Sequence, residues 1–283
     1  MTLPRYWRLF AFRISKKTMT NPFTRHGIQH LSPSTLNTWA AQPAIVVLEK
    51  LLKRRGNGMS MAALRGTASE TGIVAGLMDP HMAPADCQAI ALHEFDRLCG
   101  LSPDPKRFKE REGIPGIVAQ GLLALRPYGI PSKTQGKIVH KFPSVPVPIL
   151  GYYDLIFHDS GVLVDIKTQL RLSSEISDAH NRQVSFYLHD TNLEGRIAYV
   201  TPQKFGVYRI EDPTAGMNEL LNIAHRMERT LAVSDDPNVI AAMMTPDYGS
   251  FYYSDPLTKQ HAREVFGFKD QPENPAVRDS GDV

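Results

Sequence analysis

The chain has 283 residues, 42% of them hydrophobic and 22% charged, enough to close one sizeable core, or a core plus a small appendage. Its 20 glycines and 21 prolines exclude a collagen-like or wholly disordered chain, and two cysteines, Cys87 and Cys99, cannot build a disulfide framework or a four-thiolate cluster. A net charge of +3 is too small to mark nucleic-acid binding by itself, and no apolar run approaches the ~18 residues of a membrane span, so a cytoplasmic protein is expected.

Residues 1–30 carry Arg5, Arg8, Arg13, Lys16, Lys17 and Arg25, with no acidic side chain before Glu49. This stretch is expected to be a flexible basic leader, without the apolar core of a secretory signal. It is either a solvated segment, dispensable if translation starts at Met19, or an arm that touches phosphates. One domain is expected over 31–265. Ser32 or Ser34 can cap a helix with Pro33 in its first turn, which predicts a helix over 34–54 with a break near Pro43. Further helices are expected at 60–78, 84–98 and 106–126, the last broken near Gly113–Gly116. The period then changes. Runs of β-branched and aromatic residues at 137–142, 147–157 and 161–168 predict strands. A helix follows at 176–190, then strands at 196–200 and 204–210 and an amphipathic helix at 214–232. The tail, 266–283, sets Asp270, Glu273, Asp279 and Asp282 against Arg278 and is expected to be flexible. The fold class implied is mixed α/β, a central sheet with helices around it and a helical N-terminal region before it.

The hairpin at 151–168 is the informative part. A turn over His158–Gly161 pairs Phe157 with Val162 and, in the same register, Asp154 with Asp165. Opposed residues share a sheet face with Cβ atoms roughly 5 Å apart. Leu163 and Lys167 lie on that face, while Val162, Val164 and Ile166 point the other way into core. Two opposed carboxylates need a proton, a lysine or a cation between them. A hard divalent ion with oxygen ligands suits them, and the carbonyl of Ile166 is a further donor. Lys167 could then orient an attacking water or offset charge at phosphorus. The alternative is a solvated edge pair of Asp165 and Lys167 with Asp154 on the surface. Against it stands the cost of an unpartnered Asp in the apolar run Gly151–Phe157. Tyr152 shares the acidic face and could contact a nucleotide, with core packing or a hydroxyl bond to the site as the alternatives.

Gln183 and Tyr187, four apart, share a helix face with Arg182 beside them. The amide and phenol could hydrogen-bond a phosphate, base or sugar, and Arg182 could anchor a neighbouring phosphate; an ordinary polar helix face is the alternative. Upstream, Glu70 follows Gly66, Thr67, Ala68 and Ser69, small residues that permit close backbone approach; a capping or surface role is its alternative. The 10 histidines show no metal-binding spacing and are expected to be structural or solvent-facing, with His180 the one to watch because it precedes Gln183.

Trp39 in LSPSTLNTWAAQP, Glu70 in LRGTASETG, Asp154 in GYYDLIF, Asp165 and Lys167 in VDIKT, and Gln183 and Tyr187 in RQVSFY follow one another in a familiar order. Over roughly residues 31–210 the chain resembles the PD-(D/E)XK nuclease superfamily, in the branch of the RecB nuclease domain, Cas4-like proteins and viral recombination exonucleases. The resemblance implies a restriction-endonuclease-like fold, a mixed central sheet flanked by helices. It implies Asp154 and Asp165 as ligands of Mg²⁺, for which Mn²⁺ can substitute, and Lys167 as the catalytic lysine. Glu70 stands where many relatives have histidine, and Gln183 and Tyr187 form the Gln-x-x-x-Tyr element. The activity implied is metal-dependent DNA hydrolysis leaving 5′-phosphates, as an exonuclease in recombination, repair or viral genome processing. DNA and a single-strand-binding or recombination protein are the partners implied, with the host cytoplasm as the location if the chain is viral. A structure-specific endonuclease and a noncatalytic nucleic-acid-binding protein of the same fold are the alternatives. Relatives with an iron–sulfur cluster use four cysteines, which this chain lacks, so no such cluster is expected.

Overall fold

The computed structural model of the protein describes residues 21–267. Five of its helices start where a capping side chain meets a proline in the first turn. Asn21 caps α1 (Pro22–Arg25), and Ser32 Oγ accepts from Thr35 N–H to cap α2 (Pro33–Ala41). α3 (Pro43–Val46) begins at the expected break and continues into a π-helical turn, Val47–Leu51. Ser60 caps α4 (Met61–Met78), which is followed by α5 (Pro84–Cys99), α6 (Lys106–Glu112) and α7 (Ile114–Leu125). The division between α6 and α7 falls at Gly113, as the sequence predicts.

Strands β1 (Lys133–His140), β2 (Ile149–Phe157) and β3 (Val162–Thr168) come next, then α8 (Asp178–Leu188), β4 (Glu194–Val200), β5 (Phe205–Arg209) and α9 (Pro213–Leu231). α10 (Pro237–Ala242) and α11 (Pro256–Phe266) end the described chain. The sheet runs β1-β2-β3-β4-β5. β3 and β4 are parallel and the other neighbours antiparallel, because α8 carries the chain back along the sheet between them. The protein is thus a mixed α/β fold with a central mixed sheet flanked by helices and a helical N-terminal region.

Each sheet face has its own core. On one, Leu36 and Trp39 of α2, Val184 and Phe186 of α8 and Leu220 of α9 pack with Leu163. On the other, Ile73, Phe95 and Ile117 of α4, α5 and α7 pack with Val162, Val164 and Ile166. The alternation read from β3 is therefore present, with Leu163 on the α8 side and its neighbours on the α4 side.

Residues 21–30 differ from the expected flexible leader. Phe23 and Ile28 are buried in the first core, His26 Nε2 lies 2.9 and 3.1 Å from the carbonyls of Ser234 and Leu231, and Arg25 pairs with Asp235 at 2.6 Å. Two large apolar side chains and a buried imidazole outweigh the basic composition there. The rest of the expected leader, 1–20, and the tail after Gly267 lie outside the described residues; Phe266, expected in the tail, ends α11. β1 begins four residues earlier than expected and ends at His140, before Phe142. Among the described residues, no helix is long and apolar enough to cross a membrane.

Candidate functional site

The hairpin turn closes with Gly161 N–H donating to the His158 carbonyl at 3.0 Å. Gly161 sits at φ +65°, a left-handed conformation that glycine adopts without strain. The turn sets the register Phe157↔Val162, Ile156↔Leu163 and Leu155↔Val164. Pairing stops there, one step short of the expected Asp154–Asp165 pair. Instead Asp154 Oδ2 accepts a 2.6 Å hydrogen bond from Ile166 N–H, so its carboxylate still lies against the Asp165–Lys167 segment. Asp165 is fully buried, and its Oδ2 is 2.8 Å from Lys167 Nζ. Its Oδ1 is buried with no hydrogen-bond partner among the described residues.

α4 brings Glu70 to this group. A Cβ at Gly66 would stand 3.2 Å from Thr168 Oγ1, so the small residue lets the helix approach the end of β3. Buried Arg65 fixes the approach by pairing with Glu110 of α6 and donating to the Thr168 carbonyl at 3.4 Å. Glu70 Oε1 then accepts from Gln135 Nε2 at 3.0 Å. Gln135 was not a sequence candidate. It falls between the pairs Thr134↔Leu155 and Gly136↔Tyr153, opposite Asp154, with φ at +49°. That is an uncommon conformation for a side-chain-bearing residue in a strand, and no sequence signal announces it.

The charges act on one another. Burial, then the carboxylates of Asp165 and Glu70, push the Asp154 carboxyl well above the usual range. Burial also raises Glu70, with Asp165 adding to the shift and Gln135 and Lys167 opposing it. For Lys167 burial disfavours the charge, but Asp165 and Asp154 outweigh it and hold the ammonium more firmly than in an ordinary lysine. Three acids thus face one base, with a buried acceptor left over. The donor set is all hard oxygen, which fits a hard divalent cation; Asp154, Asp165, the Ile166 carbonyl and Glu70 could hold it.

Gln183 and Tyr187 of α8 are brought to the same site, bonded to each other, with Gln183 Nε2 donating to the Tyr187 hydroxyl at 2.7 Å. Tyr187 is buried; burial and then Asp165 raise its phenol pKa. His180 also belongs here. Its Nδ1 lies 2.7 Å from the hydroxyl of Tyr199, a buried residue that sequence reasoning missed. Burial and then Lys167 push the His180 pKa down to about 4, against the pull of Asp165. Arg182 is placed differently from the expectation. Its Nε donates to Asn37 Oδ1 at 2.8 Å and its guanidinium pairs with Glu219 at 3.3 Å, so it ties α8 to α2 and α9 and is not free for a phosphate. Tyr152 is exposed on the rim, paired in register with Lys137.

A second group, His140, His189 and Asp190, could hold a metal ion, with ligand atoms all within 4.8 Å of one another. Its members come from different elements, which is why sequence spacing did not reveal it.

No protein-family model matches the chain, and no curated protein matches it. Among solved structures, the crystal structure of SSO0001 is similar at 18% identity, covering 60% of this chain and 87% of that one, with a TM-score of 0.32.

Proposed function

We infer that this chain is a metal-dependent nuclease of the PD-(D/E)XK type, which hydrolyses DNA phosphodiester bonds to leave 5′-phosphates and works as an exonuclease. What supports the reading most is the gathering of Glu70, Asp154 and Asp165 around Lys167, groups from three elements whose charges act on one another. A structural ion pair needs one carboxylate per lysine. Here three acids face one, and Asp165 Oδ1 has no hydrogen-bond partner among the described residues.

In this reading Mg²⁺, or Mn²⁺ in its place, would be held by Asp154, Asp165, the Ile166 carbonyl and Glu70, the last directly or through water. Such an ion supplies Lewis-acid activation of water and neutralises phosphate charge. Lys167, kept protonated by its two aspartates, offsets the negative charge that gathers on the phosphoryl oxygens in the transition state. Gln183 and Tyr187 hold the scissile phosphate in line for attack; the raised phenol pKa makes Tyr187 a donor rather than a base. Gln135 keeps Glu70 in place. Tyr152 offers a stacking face for a base at the rim.

The test is end-labelled linear DNA beside circular DNA, each with Mg²⁺, Mn²⁺ or EDTA. Linear DNA should shorten from its ends with 5′-phosphate products, circular DNA should persist, and EDTA should stop the reaction. Cutting of the circle would replace exonuclease with endonuclease. Binding without cleavage in either metal would overturn the nuclease reading and leave a noncatalytic DNA-binding protein.

A further inference from the structure

The group at the opposite end of the β1–β2 pair has a different chemistry. His140 is the last residue of β1, His189 caps the C-terminal end of α8, and Asp190 follows it. The His140 ring stands edge-on to those of His189 and Phe186, at centroid distances of 4.8 and 5.1 Å, and Phe142 packs 5.0 Å from His189. His140 Nε2 is buried with no hydrogen-bond partner among the described residues. His189 Nε2 lies 3.5 Å from Asp190 Oδ2. A buried ring nitrogen without a partner, beside a second imidazole and a carboxylate, is a site that something should satisfy.

We propose that His140, His189 and Asp190 form a binding site for a borderline divalent transition-metal ion, Zn²⁺ by preference, that ties the end of β1 to the C-terminal end of α8. Two imidazoles and one carboxylate are a common zinc donor set, and Mg²⁺ disfavours such nitrogen ligands. The fourth position is open to water. Ligand atoms now within 4.8 Å need to close to about 3.3 Å around a tetrahedral ion with bonds near 2.0 Å. Asp190, 77% exposed, and the partly exposed His189 can share that movement toward His140. The position adds its own attraction, since the carbonyls ending α8 carry partial negative charge that favours a cation. Aromatic walls from Phe142 and Phe186 limit water access around the imidazoles. The site is separate from the acidic one. His140 pairs with Ile149 in β2, and Ile149 is five residues from Asp154, roughly 17 Å along a strand. The proposal therefore stands or falls without the nuclease reading.

The test uses the full-length chain, free of any affinity tag and stripped of metal with a chelator. Titration with Zn²⁺ should show one tight site, and Co²⁺ should give the intense visible absorption of a four-coordinate nitrogen-containing site, displaced by Zn²⁺. Mg²⁺ should not compete. Zn²⁺ should also raise the melting temperature. His140→Gln and His189→Gln should each weaken Zn²⁺ binding at least tenfold, and the half-exposed His189 is the variant to rely on if His140→Gln does not fold. The double variant Asp154→Asn/Asp165→Asn should bind Zn²⁺ as the natural chain does. Absence of stoichiometric binding, binding that survives His189→Gln, or binding lost in the aspartate double variant would each overturn the proposal.

Discussion

Asp154 accepts a 2.6 Å hydrogen bond from the main-chain N–H of Ile166, the residue between Asp165 and Lys167. A side-chain carboxylate takes over where the β2–β3 pairing ends at Leu155↔Val164. The bond keeps Asp154 against the Asp165–Lys167 segment despite the repulsion between the two carboxylates. A structural contact and a candidate ligand set are here the same few atoms.

Asp154→Asn and Asp154→Ala should therefore separate. Both lose a carboxylate ligand, and both should nearly abolish divalent-dependent cleavage. The amide of Asn can still accept from Ile166, whereas Ala leaves a buried N–H unpaired at a cost of about 1–3 kcal/mol. Denaturation in EDTA should rank Asp154→Ala below Asp154→Asn by that amount. Equal stabilities would mean that the bond does not hold the strands.

Asp165→Asn should silence cleavage and flatten the pH dependence of stability without metal. Asp154 and Glu70 both have raised pKa values, burial first and neighbouring carboxylates next. A raised acid keeps its proton in the folded state at a pH where the unfolded chain has lost it. Its contribution to stability is complete below the ordinary carboxylate value near 4 and is lost as pH rises through the folded value. The metal-free protein should thus weaken as pH climbs over that interval. Removing the Asp165 charge relieves both acidic neighbours but costs Lys167 its ion pair, so in EDTA the slope of melting temperature against pH should flatten. A variant that cleaves at full rate would sink the assignment of Asp165.

Glu70→Gln should raise the Mg²⁺ concentration needed for cleavage. Gln135→Ala should do the same more weakly, within the roughly tenfold to hundredfold range of supporting groups around a metal, because Gln135 only holds Glu70. Cleavage rate against Mg²⁺ concentration reads both. Curves that superimpose on the natural protein's would return Glu70 and its glutamine to a structural role.

The sheet was legible because alternation and turn chemistry act locally. The stretch from Gly151 to Thr168 sets its own register through a four-residue turn, and Leu163 and Asp165 fall on the α8 side as their spacing requires. What was illegible depended on distant partners. Arg182 looked free until Asn37 and Glu219 closed on it. Gln135 carries no motif, and only a left-handed backbone turns its side chain to Glu70. His140 and His189 meet because a strand end and a helix end coincide. Phe23 and Ile28 sat in a stretch read as leader, because basic composition said nothing of the α9 surface that covers them.

The last prediction concerns the Gln183–Tyr187 pair. The two side chains are bonded at 2.7 Å and the phenol is buried, so neither waits in solvent as an independent contact. A phosphate entering beside Asp165 and Lys167 would meet the remaining donor of the amide and the hydroxyl proton together. Neither group carries charge at neutral pH, since the Tyr187 pKa is raised by burial and by Asp165, and neither creates the metal site. Tyr187→Phe keeps the ring packing and removes the hydroxyl; Gln183→Ala removes its partner. Both should leave the metal titration unchanged and slow single-turnover cleavage about 10–100-fold, the scale of lost positioning. Their effects should not add, because the two groups act through one hydrogen bond. Wild-type rates in both variants would reduce the pair to a contact that packs α8 on the sheet, and independent, additive losses would mean that substrate separates them.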